Sequence, residues 1–415
     1  FLKQTAALGL GALPFLQKLD ELMAQAVGRP AGELARDEDF WAQIRSGYRL
    51  KPDYINLENG YYCFMPQETL EHFLHHVRHI NYEGSYYLRT VQFDNKNAVR
   101  GRLAEMAGCT AEELIITRNT TESLDMIIGG MHWEEGDEAV MASQDYGAML
   151  DMFELQAQRH GIVNKVVSVP NHPRSDSEIV ELYANAISPR TRLLMVCHII
   201  NINGQVLPVR KICDMAHERG VEVMVDGAHS FAHLDFQIPE LHCDYFGASL
   251  HKWLSAPLGA GILYVKKDKI PGVWPLLAEM GHKPEDILRL NHTGTHPVHT
   301  DLAINNALDY HQRIGTARKQ ARLRYLQQYW TSEVRDLPHI TLNTPAEPER
   351  SCAIANVGVE GYTPGELSEV LMEKYRIWTV AINHPTVKGV RITPNVYTSA
   401  RELDKLVGAL KELGS

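Results

Sequence analysis

The chain carries no C-x-x-C pair. Its six cysteines, Cys63, Cys109, Cys197, Cys213, Cys243 and Cys352, are scattered along 415 residues. That argues against a zinc ribbon or a thioredoxin-like motif and leaves small core residues as their reading. Positive charge is in deficit, with 41 Lys and Arg against 51 Asp and Glu and a net charge of -10. No nucleic-acid partner is expected, because phosphate contacts need a basic surface. No apolar run reaches the roughly 20 residues that cross a bilayer, so no stable membrane anchor is expected either. Tandem repeats and low-complexity tracts are also missing, which sets aside solenoids and disordered linkers. What is there is 44% hydrophobic and 22% charged, the balance of a folded globular chain long enough for two domains.

The start of the chain is unusual. Phe1-Leu2-Lys3 is followed by a mildly hydrophobic, Gly/Ala-rich stretch to Phe15. This resembles a twin-arginine export signal whose arginine pair lies just before residue 1, and it implies the periplasm. The alternative is an ordinary amphipathic helix on the body of a cytoplasmic protein.

Residues 16–60 read as a mixed N-terminal segment, with a short helix from Asp37 and a turn at Glu58-Asn59-Gly60. From about residue 111, apolar strands alternate with helices of ~12 residues, which predicts an α/β unit over 61–300. Its sheet is expected to be mostly parallel, with helices on both faces and ligands at the carboxyl ends of its strands. After about residue 300 the pattern changes. Asp301 to Val334 reads as a long helical stretch, followed by short strands and two more helices. That predicts a smaller α+β domain over 301–415, completed by the N-terminal segment.

Several strand ends carry chemistry. Val223 to Val225 is an apolar run ending in Asp226, with His229 just beyond, and Ser249-Leu250-His251-Lys252 follows. A lysine ~25 residues after a buried carboxylate points to pyridoxal 5'-phosphate (PLP). The amine would hold the aldehyde as a Schiff base, and the carboxylate would keep the pyridine nitrogen protonated. Asn119-Thr120-Thr121 opens a helix after another strand, where hydroxyls and free N–H groups suit a phosphate. Tyr146 follows a third strand and could lie on a pyridine ring. Asn201 follows a fourth and could bond a phenolic oxygen. Each member alone is unremarkable; the set is specific.

On these residues the chain resembles fold-type-I PLP enzymes of the aminotransferase class V group, over roughly residues 37–410. His198, Asn201 and Gly204 match its His-x-x-Asn-x-x-Gly pattern, Asp226 and His229 its Asp-x-x-His pattern, and Ser249, His251 and Lys252 its Ser-x-His-Lys pattern. The resemblance implies Asp226, His229 and Lys252 as the catalytic set, working at Cα of an amino acid through an external aldimine. It implies Ser249 and His251 on the phosphate beside Thr120 and Thr121, with Thr295 reaching the phosphate of a neighbouring protomer in a homodimer. It also implies Arg391 as the fork for the substrate α-carboxylate. Asn59 falls where substrate-binding residues are expected in this group. Tyr86, Tyr87 and Arg89 fall where the group places substrate-facing or cross-dimer residues.

Two departures narrow the reading. Desulfurases of the group use a mobile cysteine; Val380 to Pro385 has none, and Cys352 reads as a strand start. Tyr146 stands where His is common. The first disfavours desulfuration, and the second tilts toward the isopenicillin N epimerase-like branch. Joined to export, the resemblance implies periplasmic tailoring of the glutamate side chain of a pyoverdine siderophore to a succinamide, by loss of the amine and carboxylate. Epimerisation, transamination and C–S lysis are the alternatives within the group, and a non-enzymatic binding protein on a decayed fold is the alternative outside it. His72, His75, His76 and His79 share one predicted helix and read as a polar face, with no metal expected.

Overall fold

The computed structural model describes residues 13–414. Residues 1–12, which hold most of the export-like stretch, lie outside the described residues. The larger unit is built on seven strands: β1 (Leu114–Thr117), β2 (Glu138–Ala142), β3 (Val163–Val167), β4 (Thr191–Cys197), β5 (Glu222–Asp226), β6 (Tyr245–Ser249) and β7 (Gly261–Val265). Their spatial order is β1-β7-β6-β5-β4-β2-β3. β7 runs antiparallel to both neighbours, and every other pairing is parallel.

The run Leu193-Leu194-Met195-Val196 shows why such strands are apolar throughout. Leu194 and Val196 pack in one core with Tyr183, Ile212 and Ala216. Leu193 and Met195 point the other way, into a second core with Leu124, Ile127, Met149 and Phe153. With helices on both faces, neither side of the strand meets water. The covering helices include α1 (Gln67–Glu83), α2 (Gln92–Ala107), α3 (Thr120–Gly130), α4 (Gly147–His160), α5 (Asp176–Ala186) and α6 (Val209–His217). α3 starts where it does because Asn119 caps it, its Oδ1 accepting from Glu122 N at 2.9 Å.

The predicted helical stretch over Asp301 to Val334 consists of two helices, α7 (Val298–Ile314) and α8 (Thr316–Val334). Gly315 between them has φ +85°, a left-handed conformation that ends the first helix. α7 packs on α1 and α2, while α8 packs on α10 (Ala400–Glu412). The smaller unit has a four-stranded antiparallel sheet of β8 (Ile340–Leu342), β9 (Ala355–Val359), β10 (Val380–Asn383) and β11 (Lys388–Ile392), in the order β10-β11-β9-β8. Its core joins Trp330 of α8, Leu367 and Leu371 of α9 (Pro364–Tyr375), and Leu403, Leu406 and Leu410 of α10. Ile55 and Asn56 pair in parallel with Ile377 and Trp378, and Glu58 bridges to Thr393. The N-terminal segment is thereby fastened to the smaller unit just ahead of the turn at Gly60.

Candidate active site

The ends of β1, β2, β4, β5 and β6 meet at a cavity of about 290 Å³, lined by Thr120, Thr121, Tyr146, Asn201, Asp226, His229, Ser249, His251, Lys252 and Arg391. These positions are far apart in the chain. The parallel strands bring them to one edge because each strand hands its last residues to the same end of the sheet.

At the start of α3, Thr120 N donates to Ser249 Oγ at 2.9 Å, and the Thr120 and Ser249 hydroxyls lie 2.7 Å apart. Hydroxyls at a helix N-terminus suit an anion, since the helix dipole is positive there. His251 lines the same wall with a buried Nδ1 that meets no partner, and burial lowers its pKa to about 4.

Asp226 is buried at the end of β5, where its Oδ1 accepts from Ala228 N at 2.9 Å. Burial raises its pKa, opposed by the Ala228 N–H and by the charge of Lys252. Lys252 Nζ lies 3.2 Å from His229 Nε2. Burial lowers the amine to about 8, with Asp226 pulling it back up. Asn201 turns a buried amide oxygen to no donor. Tyr146 is 45% exposed and lies at the mouth with Tyr61 and Leu258, which are 76% and 63% exposed.

Arg391, on β11, is held by three hydrogen bonds to two partners. Its Nε donates to Glu58 Oε2 at 3.2 Å, its Nη2 donates to Glu58 Oε1, and its Nη1 donates to the Asn201 carbonyl at 3.1 Å. Both side chains of this pair are 8% exposed. Gly60 lets the loop pass against the guanidinium, for a Cβ there would sit 2.8 Å from Arg391 Cζ.

Two expected positions, Asn59 and Tyr87, fall elsewhere, while Thr295, expected at a neighbouring protomer's site, lies outside this cavity. Asn59 does not face the cavity. It is fully buried, its Nδ2 donating to Thr393 O at 2.7 Å and its Oδ1 accepting from Tyr397 Oη at 2.7 Å and Asn56 Nδ2 at 2.8 Å. Its amide is spent on tying the 56–60 loop to the smaller unit. Tyr87 is buried too, its Oη accepting from Asn95 Nδ2 at 2.9 Å. Thr295 is exposed and lines a separate cleft of about 810 Å³ together with Arg89, Arg100 and His296. The histidines of α1 stack in pairs, His72 on His76 and His75 on His79, with His72 also against Glu68 at 3.2 Å and His76 against Asn306 at 3.0 Å. Among the described residues, no group of three or more His, Cys, Asp or Glu is placed to hold a metal. Sequence reasoning missed Glu58 and Trp253. Glu58 carries no local signal, because its partner lies 333 residues away.

One cavity thus offers an anion cradle, a buried carboxylate, a lysine of lowered pKa and polar atoms awaiting partners. That donor set fits PLP: Thr120, Ser249 and His251 for its phosphate, Asp226 for its ring nitrogen and Lys252 for its aldehyde. Fold and site together define a fold-type-I PLP-dependent enzyme. The aminotransferase class-V family model matches residues 65–406, and the chain belongs to that family. It is 28% identical to isopenicillin N epimerase of Streptomyces clavuligerus, over 90% of this chain and 98% of the relative. It is 26% identical to a cysteine desulfurase of Haloferax volcanii, over 86% and 88%. Among solved structures, the apo cysteine desulfurase of Thermococcus onnurineus NA1 superimposes with a TM-score of 0.80 at 20% identity, covering 90% of this chain and 97% of that one. A complex of the cystine C-S lyase C-DES with cysteine persulfide gives 0.79 at 23% identity, covering 88% and 98%.

Proposed function

We propose that this enzyme acts at Cα of a glutamyl residue whose α-amino and α-carboxyl groups are free, carried through its γ-carboxyl on a larger molecule, and that the carrier is a pyoverdine-type siderophore precursor. The observation that carries the first half is Arg391. It is a buried, pre-oriented guanidinium in the same cavity as Lys252 and Asp226, suited to an α-carboxylate. The mouth framed by exposed Tyr61, Tyr146 and Leu258 leaves room for a substrate that only partly enters. Support for the siderophore comes from the export-like residues 1–15 taken with the family. Periplasmic location and a homodimer, in which Thr295 would serve the partner's site, belong to the same proposal.

When bound, PLP supplies an electron sink for charge developing at Cα. The chain supplies the rest. Arg391 orients the α-carboxylate, Asp226 keeps the ring nitrogen protonated, and the Lys252 amine moves a proton at Cα. A succinamide retains one nitrogen beyond the γ-amide. The balanced reaction therefore keeps the amine nitrogen as the new amide and loses only the carboxyl carbon as carbon dioxide, rather than losing both groups. Dioxygen is the oxidant: one of its oxygens enters the amide and the other leaves as water.

Cysteine-dependent desulfuration is disfavoured by burial. Cys352 is fully buried, and its thiol is pushed up to about 12. No cysteine among the described residues is exposed. The deciding experiment is mass spectrometry of a glutamyl siderophore precursor incubated with PLP-loaded protein in air. The expected product has lost one carbon and kept both nitrogens. An unchanged mass with inverted configuration would establish epimerisation instead. A substrate returned unaltered would end the siderophore reading.

A further inference from the structure

Behind Lys252 lies a chain of hydrogen bonds whose directions are dictated by groups that can only donate. The Ala353 N–H donates to His233 Nε2 at 3.1 Å, so Nδ1 of neutral His233 carries the proton and donates to the His229 carbonyl at 2.7 Å. The indole N–H of Trp253 has no acceptor character, and it donates to His229 Nδ1 at 3.3 Å. Trp253 is fully buried and stacked on His233, with ring centroids 3.8 Å apart. Lys319 also donates to its carbonyl. It has little freedom to turn away.

We propose that Trp253 is a positioning residue: by occupying Nδ1 it fixes His229 as the Nε2–H tautomer, which donates to Lys252 Nζ and holds that amine neutral. An ammonium has three donors and no acceptor, so a protonated Lys252 would meet an N–H head-on at 3.2 Å. Accommodating it would move the His229 proton to Nδ1, directly against the indole N–H. Protonating the lysine therefore costs the tryptophan bond. A neutral amine is the form that can attack an aldehyde or accept a proton.

The remaining surroundings divide: burial, Arg391 and His251 favour the neutral amine, while Asp226, Cys63 and Glu58 pull toward the ammonium. Lys252, Arg391, His233 and His251 face the imidazole, whose pKa burial drives well below its ordinary value. His229 is therefore a neutral ring whose tautomer is open to control. The proposal does not depend on which amino acid the site accepts.

The test is competitive acetylation of the full chain, freed of cofactor, with acetic anhydride between pH 6 and pH 11. Mass spectrometry would compare Lys252 with exposed Lys267. Trp253→Phe keeps the aromatic volume and removes the donor. Lys252 should then titrate about one unit higher, and its relative acetylation at pH 7 should fall about tenfold. In a His229→Gln background the same substitution should change the ratio by less than about twofold, because no tautomer is left to control. An unaltered Lys252 titration in Trp253→Phe, or an equal shift in both backgrounds, would overturn the proposal. If the variant does not fold, ¹⁵N shifts of histidine-labelled wild-type protein read the tautomer directly. A protonated Nδ1 on His229 would overturn the proposal just as firmly.

Discussion

Glu58→Gln tests the site at its least local point. Glu58 and Arg391 are each 8% exposed, and the carboxylate takes two of the guanidinium's donors. The amide keeps the shape and one acceptor but leaves a buried positive charge uncompensated. Removing one member of a buried pair costs about 3–5 kcal/mol. With one acceptor kept by Gln, and the Asn201 carbonyl still in place, the low end applies, about 3 kcal/mol. At an unfolding entropy near 2.1 cal/mol/K per residue, a chain of 415 residues has about 0.9 kcal/mol/K, so the melting temperature should fall by about 3 °C. Differential scanning calorimetry at neutral pH measures this. The same scan with a simple carboxylate such as propionate gives a second reading. The added anion replaces the missing charge, so it should raise the melting temperature of the variant more than that of the wild type. A melting temperature within about 0.5 °C of wild type, with equal carboxylate shifts, would refute the picture of a buried guanidinium balanced by Glu58.

Four further outcomes are expected. Arg391→Lys replaces a planar fork with a point charge and should raise KM for α-carboxylate substrates at least about tenfold, as steady-state kinetics would show. Lys252→Met should abolish retention of PLP through gel filtration after borohydride treatment, because the amine that is reduced onto the cofactor is gone. The same substitution has a signed effect on the cofactor-free protein. Lys252 has a folded pKa lowered to about 8 from 10.5, so the unfolded chain binds more protons between those values. The wild type therefore gains stability as pH rises from about 8 to about 10.5, and the Met variant's relative advantage, greatest below pH 8, should shrink over that window in denaturant titrations. Gly204→Ala should cost at least about 2 kcal/mol and lower soluble yield. Gly204 has φ +78°, and an added Cβ would lie 2.0 Å from the Ile354 carbonyl oxygen.

What the sequence by itself determined is what local chemistry determines. Alternating apolar strands and helices require a sheet covered on both faces, because each strand is apolar on both sides. The Asp226 and Lys252 strand ends place a carboxylate and an amine at one sheet edge, because parallel strands all finish there. Tertiary structure alone decided the rest. Gly204 matches a motif and closes a turn, but the backbone that an added Cβ would strike, at Ile354, lies 150 residues further along the chain. Asn59 looks polar and available in the sequence, yet Thr393 and Tyr397 claim its amide. Glu58 faces Arg391, and Trp253 meets His229, only after the chain has closed on itself. A hydrogen bond or ion pair depends on distances of about 3 Å between atoms, and neighbours in space but not in sequence leave no periodic trace in the residues between them.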